Sequence, residues 1–432
     1  MIENPTGLQR LIGWMMLSAV LLSVAAGLGW LPGFYSGGLA WCCGLLLFGR
    51  VGGFLRLQVL CIFLIGCAAL WWGLDGRELP WAKLLATNQI LIAMLIAVSF
   101  LRLVTALRAD PQEQLPMGRG ALWRTLLGVH LFGAVINMST LQIVGERLSR
   151  RQPLTPQQGV LLSRGFALAS LWSPFFVAMG VALTHADGAQ LETLSLAGLP
   201  AAAVALLVAG IGLSRHPGVT SQAGYPIHFE ALWLPLLLAV LVFGARGLWP
   251  DVPVLSWVSL LSLLLCLLVL VLRSGTQRLA SMRRHVEAQL PTMGGELALF
   301  LAAGVLTVGL AQVVERSGFD WPLQQFGPWQ AWGLLWMILV AAVMGIHPLI
   351  SIATSGGILA PQVQDPNLLG MTFLMGWAVG IIASPVSGTH LTLQARFGLS
   401  AFGFPRWNLG FVLQLMLICL LALHGYAWFR AG

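Results

Sequence analysis

Charge is scarce in this chain. Only 9% of its 432 residues are Asp, Glu, Lys or Arg, where a soluble domain carries roughly a quarter. So small a supply cannot cover a water-facing surface, which excludes the soluble enzyme classes. No Walker loop occurs, so ATP is not the expected source of drive. Neither a serine elbow nor a metalloprotease motif is present, and no metal-ligand spacing stands out. The six cysteines, Cys42, Cys43, Cys61, Cys67, Cys266 and Cys419, all fall in apolar runs without CxxC or Cys/His spacing. They read as buried free thiols. No Asp or Glu stands midway in an apolar run, and Glu230 and Glu296 sit at run ends. The carboxylate partner of a histidine-based proton pump is therefore missing.

What the chain has is apolar length: 58% of its residues are hydrophobic. That makes it an all-α polytopic membrane protein whose first partner is the lipid bilayer. The basic excess, 23 Lys and Arg against 15 Asp and Glu, marks cytoplasmic loops rather than a nucleic-acid surface. About 20 apolar residues cross the hydrocarbon as a helix. Candidate spans lie at 11–30, 35–50, 57–74, 88–107, 156–186, 195–213, 229–248, 253–273, 295–313, 366–395 and 408–428. That makes about 11 transmembrane helices. The first is read as a span rather than a cleaved signal peptide, because so many spans follow it.

Two further apolar stretches, 121–146 and 331–360, decide the topology. If each dips in and returns to its own side, the arginine groups at 50 and 56, 102–124, 147–151, 273–284, and 396 and 406 all face the cytoplasm. Arg77, Lys83, Arg246, Arg316 and Arg430 are the exceptions. The expected arrangement has two re-entrant hairpins, the N-terminus inside and the C-terminus outside, in the cell inner membrane.

An internal repeat accompanies this pattern. GVHLFGAVINMST at 128–140 precedes LWSPFF at 171–176, and GIHPLISIATSGG at 345–357 precedes IASPVS at 382–387. Residues 1–34 hold a first helix outside the repeat. The first copy spans 35–214, with hairpin 121–146 and broken helix 156–186. A connecting loop, 215–228, leads to the second copy at 229–432, with hairpin 331–360 and broken helix 366–395. Five crossings per copy is odd, so the second copy is inverted. This is the plan of a secondary transporter with alternating access.

Ser173-Pro174 and Ser384-Pro385 sit inside long apolar runs. Proline there either kinks a helix or ends it. A discontinuous helix frees backbone groups to line a cavity. The hairpins carry Asn137, Ser139 and Thr140 in one copy, and Ser351, Thr354, Ser355, Gly356 and Gly357 in the other. Such small groups pack helices closely. They can equally hold a ligand: hydroxyls and helix N-termini an anion, and oxygens near Asn137, Ser139, Thr354 and Ser355 a sodium ion. Gly356 or Gly357 can take a backbone conformation closed to other residues. Ser387, Gly388, Thr389 and His390 make the second break polar, whereas Phe175 and Phe176 wall the first. Unequal half-sites suit a solute with a polar head and an apolar part. His130, His347 and His390 are either packing histidines or proton-coupling groups. Arg164 either snorkels to the boundary or faces an anionic solute. Glu146 reads as the interfacial partner of Arg147. Trp71, Trp72, Trp81, Trp249, Trp321, Trp329 and Trp332 read as interfacial anchors.

This order of elements resembles the ion transporter superfamily. Its members include divalent anion/sodium symporters, the large membrane subunits of tripartite carboxylate transporters, and arsenite permeases. In the symporter branch each tip carries Ser-Asn-Thr. Here Asn137-Met138-Ser139-Thr140 and Ala353-Thr354-Ser355-Gly356 stand in those places. The resemblance implies an elevator movement of 121–186 and 331–395, and a homodimer. The function expected is secondary transport of a small anionic solute, with Na+ or H+ as coupling ion and no other cofactor. An integral-membrane enzyme or a channel-like subunit is the alternative.

Overall fold

Backbone amides and carbonyls in an apolar medium must find partners within the chain, and helices satisfy them locally. The computed structural model describes residues 5–104, 115–150, 152–225, 233–272, 278–318 and 326–431. Glu230, Trp321, Arg108, Arg151, Arg273 and the end of the connecting loop, 226–228, lie outside the described residues. Among the described residues the regular structure is helical, with one isolated bridge pairing Met117 and Ala223. Eight helical segments there have the length and apolarity to cross a bilayer. Four shorter apolar helices accompany them, Phe34–Phe48, Leu236–Leu248, Pro328–Val343 and Pro348–Leu359.

The helices in chain order are α1 Gly7–Gly27, α2 Phe34–Phe48, α3 Gly53–Leu74, α4 Trp81–Ala86, α5 Gln89–Ser99, α6 Arg119–Ile136, α7 Ser139–Leu148, α8 Pro156–Leu168, α9 Val177–His185 and α10 Leu191–Ser214. They continue as α11 Trp233–Leu248, α12 Val254–Leu272, α13 Arg278–Arg284, α14 Gly294–Ser317, α15 Pro328–Val343, α16 Pro348–Leu359, α17 Pro366–Ala383, α18 Gly388–Phe397 and α19 Phe404–Ala431. They form two units. Unit 1 is Met1–Ala106, Leu234–Trp321 and Ala353–Gln362, and unit 2 is Leu107–Trp233, Pro322–Ile352 and Val363–Gly432.

In unit 1, α3 and α14 approach through small residues, the usual device for close helix packing in membranes. A methyl on Gly66 would stand 2.7 Å from the Leu306 amide, and one on Gly309 would stand 2.5 Å from the Gly66 carbonyl. Leu70, Leu74, Leu84, Val305 and Val308 fill the seam. Two ion pairs fasten one end of it, where both helices finish: Arg77 with Glu315 at 2.9 Å and Arg316 with Asp75 at 2.8 Å. The described part of the span expected at 88–107 is α5 running directly into a 3-10 turn, Phe100–Leu103, and the short helix α4 precedes it. Asn88 takes φ 64 between α4 and α5 and donates to the Phe300 carbonyl at 2.8 Å. Cys42 and Cys61 are exposed on helix faces, unlike buried Cys43 and Cys419. An apolar run does not say which face points outward.

In unit 2, α8 is buried from Gln158 through Leu168, as a central helix must be. Its start is well specified. Pro156 occupies the first turn, Thr155 accepts from the Gln158 amide, and Gln158 returns the bond to Thr155. Leu115 and Met117 before α6, Leu148 at the end of α7, Pro156 at the start of α8 and His216 after α10 all line one cavity of about 640 Å³. Elsewhere in the unit, α15 and α17 both begin beside the end of α19. The Trp329 ring meets His424 at 4.8 Å, and Asp365, which caps α17, pairs with Arg430. Glu146 pairs with Arg396 at 2.6 Å rather than with its neighbour Arg147.

Candidate functional site

Both interruptions lie in unit 2. α8 ends at Leu168, one 3-10 turn covers Ala169–Leu171, and α9 begins at Val177. Pro174 has no amide to donate. The Ser173 hydroxyl organises the gap: it accepts from the Phe175 amide at 3.2 Å and donates to the Ala134 carbonyl of α6. Asn137, at φ 50 between α6 and α7, donates to the Phe175 carbonyl at 3.2 Å. The junction of α6 and α7 is thus tied to the first break from two sides.

The second break repeats the local solution. α17 ends at Ala383 and α18 begins at Gly388. The Ser384 hydroxyl accepts from the Val386 amide at 3.3 Å, as Ser173 does from Phe175. In both cases serine bonds the amide two residues on, across a proline. Ser387 then caps α18 by accepting from the His390 amide. The Thr389 hydroxyl lies 3.8 Å from the Met138 sulfur, which sets the second break beside the α6–α7 junction.

The three histidines differ. His130 donates from Nδ1 to the Gly165 carbonyl at 3.2 Å and accepts at Nε2 from the Trp172 indole at 3.0 Å. An indole N–H only donates, so this arrangement holds a neutral ring. His390 is fully buried and stacks on Phe404 at 4.0 Å. Its Nδ1 donates to the Ser384 carbonyl at 2.7 Å, and its Nε2 meets the Ser163 hydroxyl at 2.8 Å. Both rings brace a break against α8. His347 is half-buried, and its Nδ1 accepts from the Leu349 amide at 3.2 Å. That leaves a proton on Nε2, which has no partner among the described residues. The Trp377 ring stands edge-on to His347 at 5.6 Å, and its buried indole N–H has no partner either. Each of the two neighbouring rings thus keeps an N–H without a partner among the described residues.

Of the residues expected at the site, Asn137, Ser139, Thr140, Ser173, Pro174, Ser384, Pro385, Ser387 and Thr389 share unit 2 with the three histidines. Thr140 is fully buried at the first turn of α7, with its hydroxyl unpaired. Thr354, Ser355, Gly356 and Gly357 belong to the other unit. The turn between α15 and α16 falls at Gly345, with φ 94, and the 354–357 stretch is inside α16. Gly356 and Gly357 thus have no left-handed backbone. A methyl on Gly357 would meet the Thr307 carbonyl at 3.1 Å, so this glycine permits close packing on α14.

Arg164 is 8% exposed. It donates to the Asn408 side chain at 2.9 Å and the Trp407 carbonyl at 3.3 Å, and lies over the Phe411 ring at 4.4 Å. Asn408 passes the tie on, donating to the Ile382 carbonyl at 3.1 Å just before the second break. Ser163, Trp377 and Asn408 were not expected from sequence. Trp377 was detectable as a tryptophan in the middle of an apolar run rather than at its end. Among the described residues no cluster of three or more His, Cys, Asp or Glu can hold a metal.

No protein-family model matches the chain, and no curated protein does. Among solved structures, the YdaH transporter of Alcanivorax borkumensis shares 14% identity with it at a TM-score of 0.46. That alignment covers 89% of this chain and 87% of the other.

Proposed function

We propose that the chain is a secondary active transporter of a small anionic solute, carboxylate-like or an oxyanion, in the cell inner membrane. Alternating access of the elevator type carries the solute, with Na+ or H+ as coupling ion. The observation that carries this reading is the pair of Ser-Pro interruptions in one unit, each closed by the same serine turn and each braced against α8 by a histidine, His130 of α6 or His390 of α18. Free helix ends in a membrane are tolerated where they line a cavity. The shared cavity at the start of α6 and the end of α7 supports the re-entrant reading of 121–146. The common origin of α15 and α17 beside the end of α19 supports that of 331–360.

The donors left unpaired set the solute's chemistry. His347 Nε2–H and Trp377 Nε1–H favour an acceptor, as an anion or carbonyl oxygen supplies. In unit 2 the oxygens near Asn137 and Ser139 are the proposed sodium ligands. An enzyme is less favoured, because His130 and His390 spend both ring nitrogens on structural bonds. The test is counterflow in proteoliposomes loaded with small carboxylates or oxyanions, in a sodium or pH gradient. Exchange is expected; absence of exchange under every gradient, or steady current under voltage, overturns the reading. Replacing His347 by phenylalanine removes one donor and keeps the ring. It is expected to raise the half-saturating solute concentration about tenfold while leaving thermal unfolding unchanged. An unaltered transport curve would remove His347 from the site.

A further inference from the structure

Arg164 carries a charge that nothing in the transport reading uses. Its side-chain partners are a neutral amide, a carbonyl and an aromatic face. Among the described residues no carboxylate pairs with it, and its Nη1 has no hydrogen-bond partner. A guanidinium this deeply buried calls for an anion. The neutral contacts alone could be made by an uncharged amide side chain.

Arg164 lines a groove of about 480 Å³ between α8, α10 and α19, together with Val160, Gly212, Gly410, Phe411 and Gln414. The groove has a polar rim, since Gln157 in the first turn of α8 and His216 just after α10 also line it. Side chains on a helix lean toward its N-terminus, so the Arg164 stem leads toward that rim. On both sides the outer faces of the helices are apolar. Leu207 and Ile211 of α10, and Leu409, Leu413 and Leu417 of α19, are all exposed.

We propose that this groove binds an anionic phospholipid, with the headgroup phosphate on Arg164 and acyl chain along the apolar faces of α10 and α19. A phosphate supplies the missing negative charge and accepts from the unpaired Nη1 edge. Basic pockets between membrane helices near the water boundary hold acidic headgroups by the same chemistry. The apolar flanks favour a lipid over free phosphate, which gains nothing from them. The site is independent of whether the chain carries a solute. It also reaches the second break, because Arg164 holds Asn408 and Asn408 holds the Ile382 carbonyl.

The experiment uses the full chain in neutral detergent, read by native mass spectrometry and thermal unfolding. Phosphatidylglycerol, phosphatidylcholine and inorganic phosphate are added separately. Phosphatidylglycerol is expected to stay bound and raise the unfolding temperature, and the other two are not. Gly410→Leu and Gly212→Leu fill the groove from opposite walls, and at neither position does an added Cβ meet an atom within 4 Å. Each is expected to weaken phosphatidylglycerol retention at least about tenfold with the fold intact. Arg164→Gln keeps a donor for Asn408 and is expected to show the same loss. Equal retention of both lipids, or full retention in both glycine variants, overturns the proposal. Stabilisation by inorganic phosphate equal to that by phosphatidylglycerol overturns the lipid assignment.

Discussion

Replacing His390 by leucine is expected to destabilise the protein by about 3–5 kcal/mol, among the largest effects of any single substitution here. The ring is fully buried, stacks on Phe404, and joins the Ser384 carbonyl to the Ser163 hydroxyl. Leucine fills much of the volume but leaves both of those groups unpaired, and each buried orphan costs about 1–3 kcal/mol. Lost aromatic stacking adds about 1 kcal/mol. Thermal unfolding in detergent reads the loss, and solute exchange in proteoliposomes should fall with it. His390→Gln keeps a donor and an acceptor and should recover part of the stability. If His390 is a brace, the glutamine variant retains the pH profile of exchange seen in the unaltered protein. A profile flattened by glutamine at normal stability would make His390 a proton carrier instead.

Gly198→Ala is expected to cost about 3 kcal/mol or more and to reduce solute exchange at least about tenfold. The residue lies on α10, against the turn that precedes the first break. A Cβ there would stand 1.9 Å from the Leu171 carbonyl oxygen and 2.8 Å from its carbon. The obstruction is backbone, so no rotamer change relieves it. Either α10 retreats or the Ala169–Leu171 turn moves and carries Trp172 and Ser173 with it. Gly212→Ala on the same helix is the control. Its Cβ meets no atom within 4 Å, so the alanine should raise stability by about 0.5–1 kcal/mol through helix propensity alone. Equal unfolding temperatures for the two variants would show that the close approach of α10 to Leu171 is not tight.

These cases show how much of the site was legible. Each Ser-Pro step could be located because proline inside an apolar run disturbs a helix wherever it occurs. The histidines at 130, 347 and 390 were visible as ionisable groups in an apolar setting. Their different roles were not, because those depend on partners far along the chain. Ser163 meets His390 across 227 positions, and Glu146 meets Arg396 across 250. The second turn was misplaced for a related reason. Thr354 to Gly357 has the composition of a tip, yet small residues serve equally well where one helix lies close on another. Gly345, with its positive φ, makes the turn before α16. At Asn88 the left-handed backbone is held by the Phe300 carbonyl, a bond no local pattern announces.

Ser163, Arg164 and Gly165 are consecutive; the first two side chains leave the helix about 100° apart, and the Gly165 carbonyl points along its axis. They hold the ring of His390, the side chain of Asn408 and the ring of His130 respectively. A helix with one partner can rotate to suit it; one committed in three directions cannot. Both interruptions are therefore geared to a single shaft, and neither can slacken while the other stays taut.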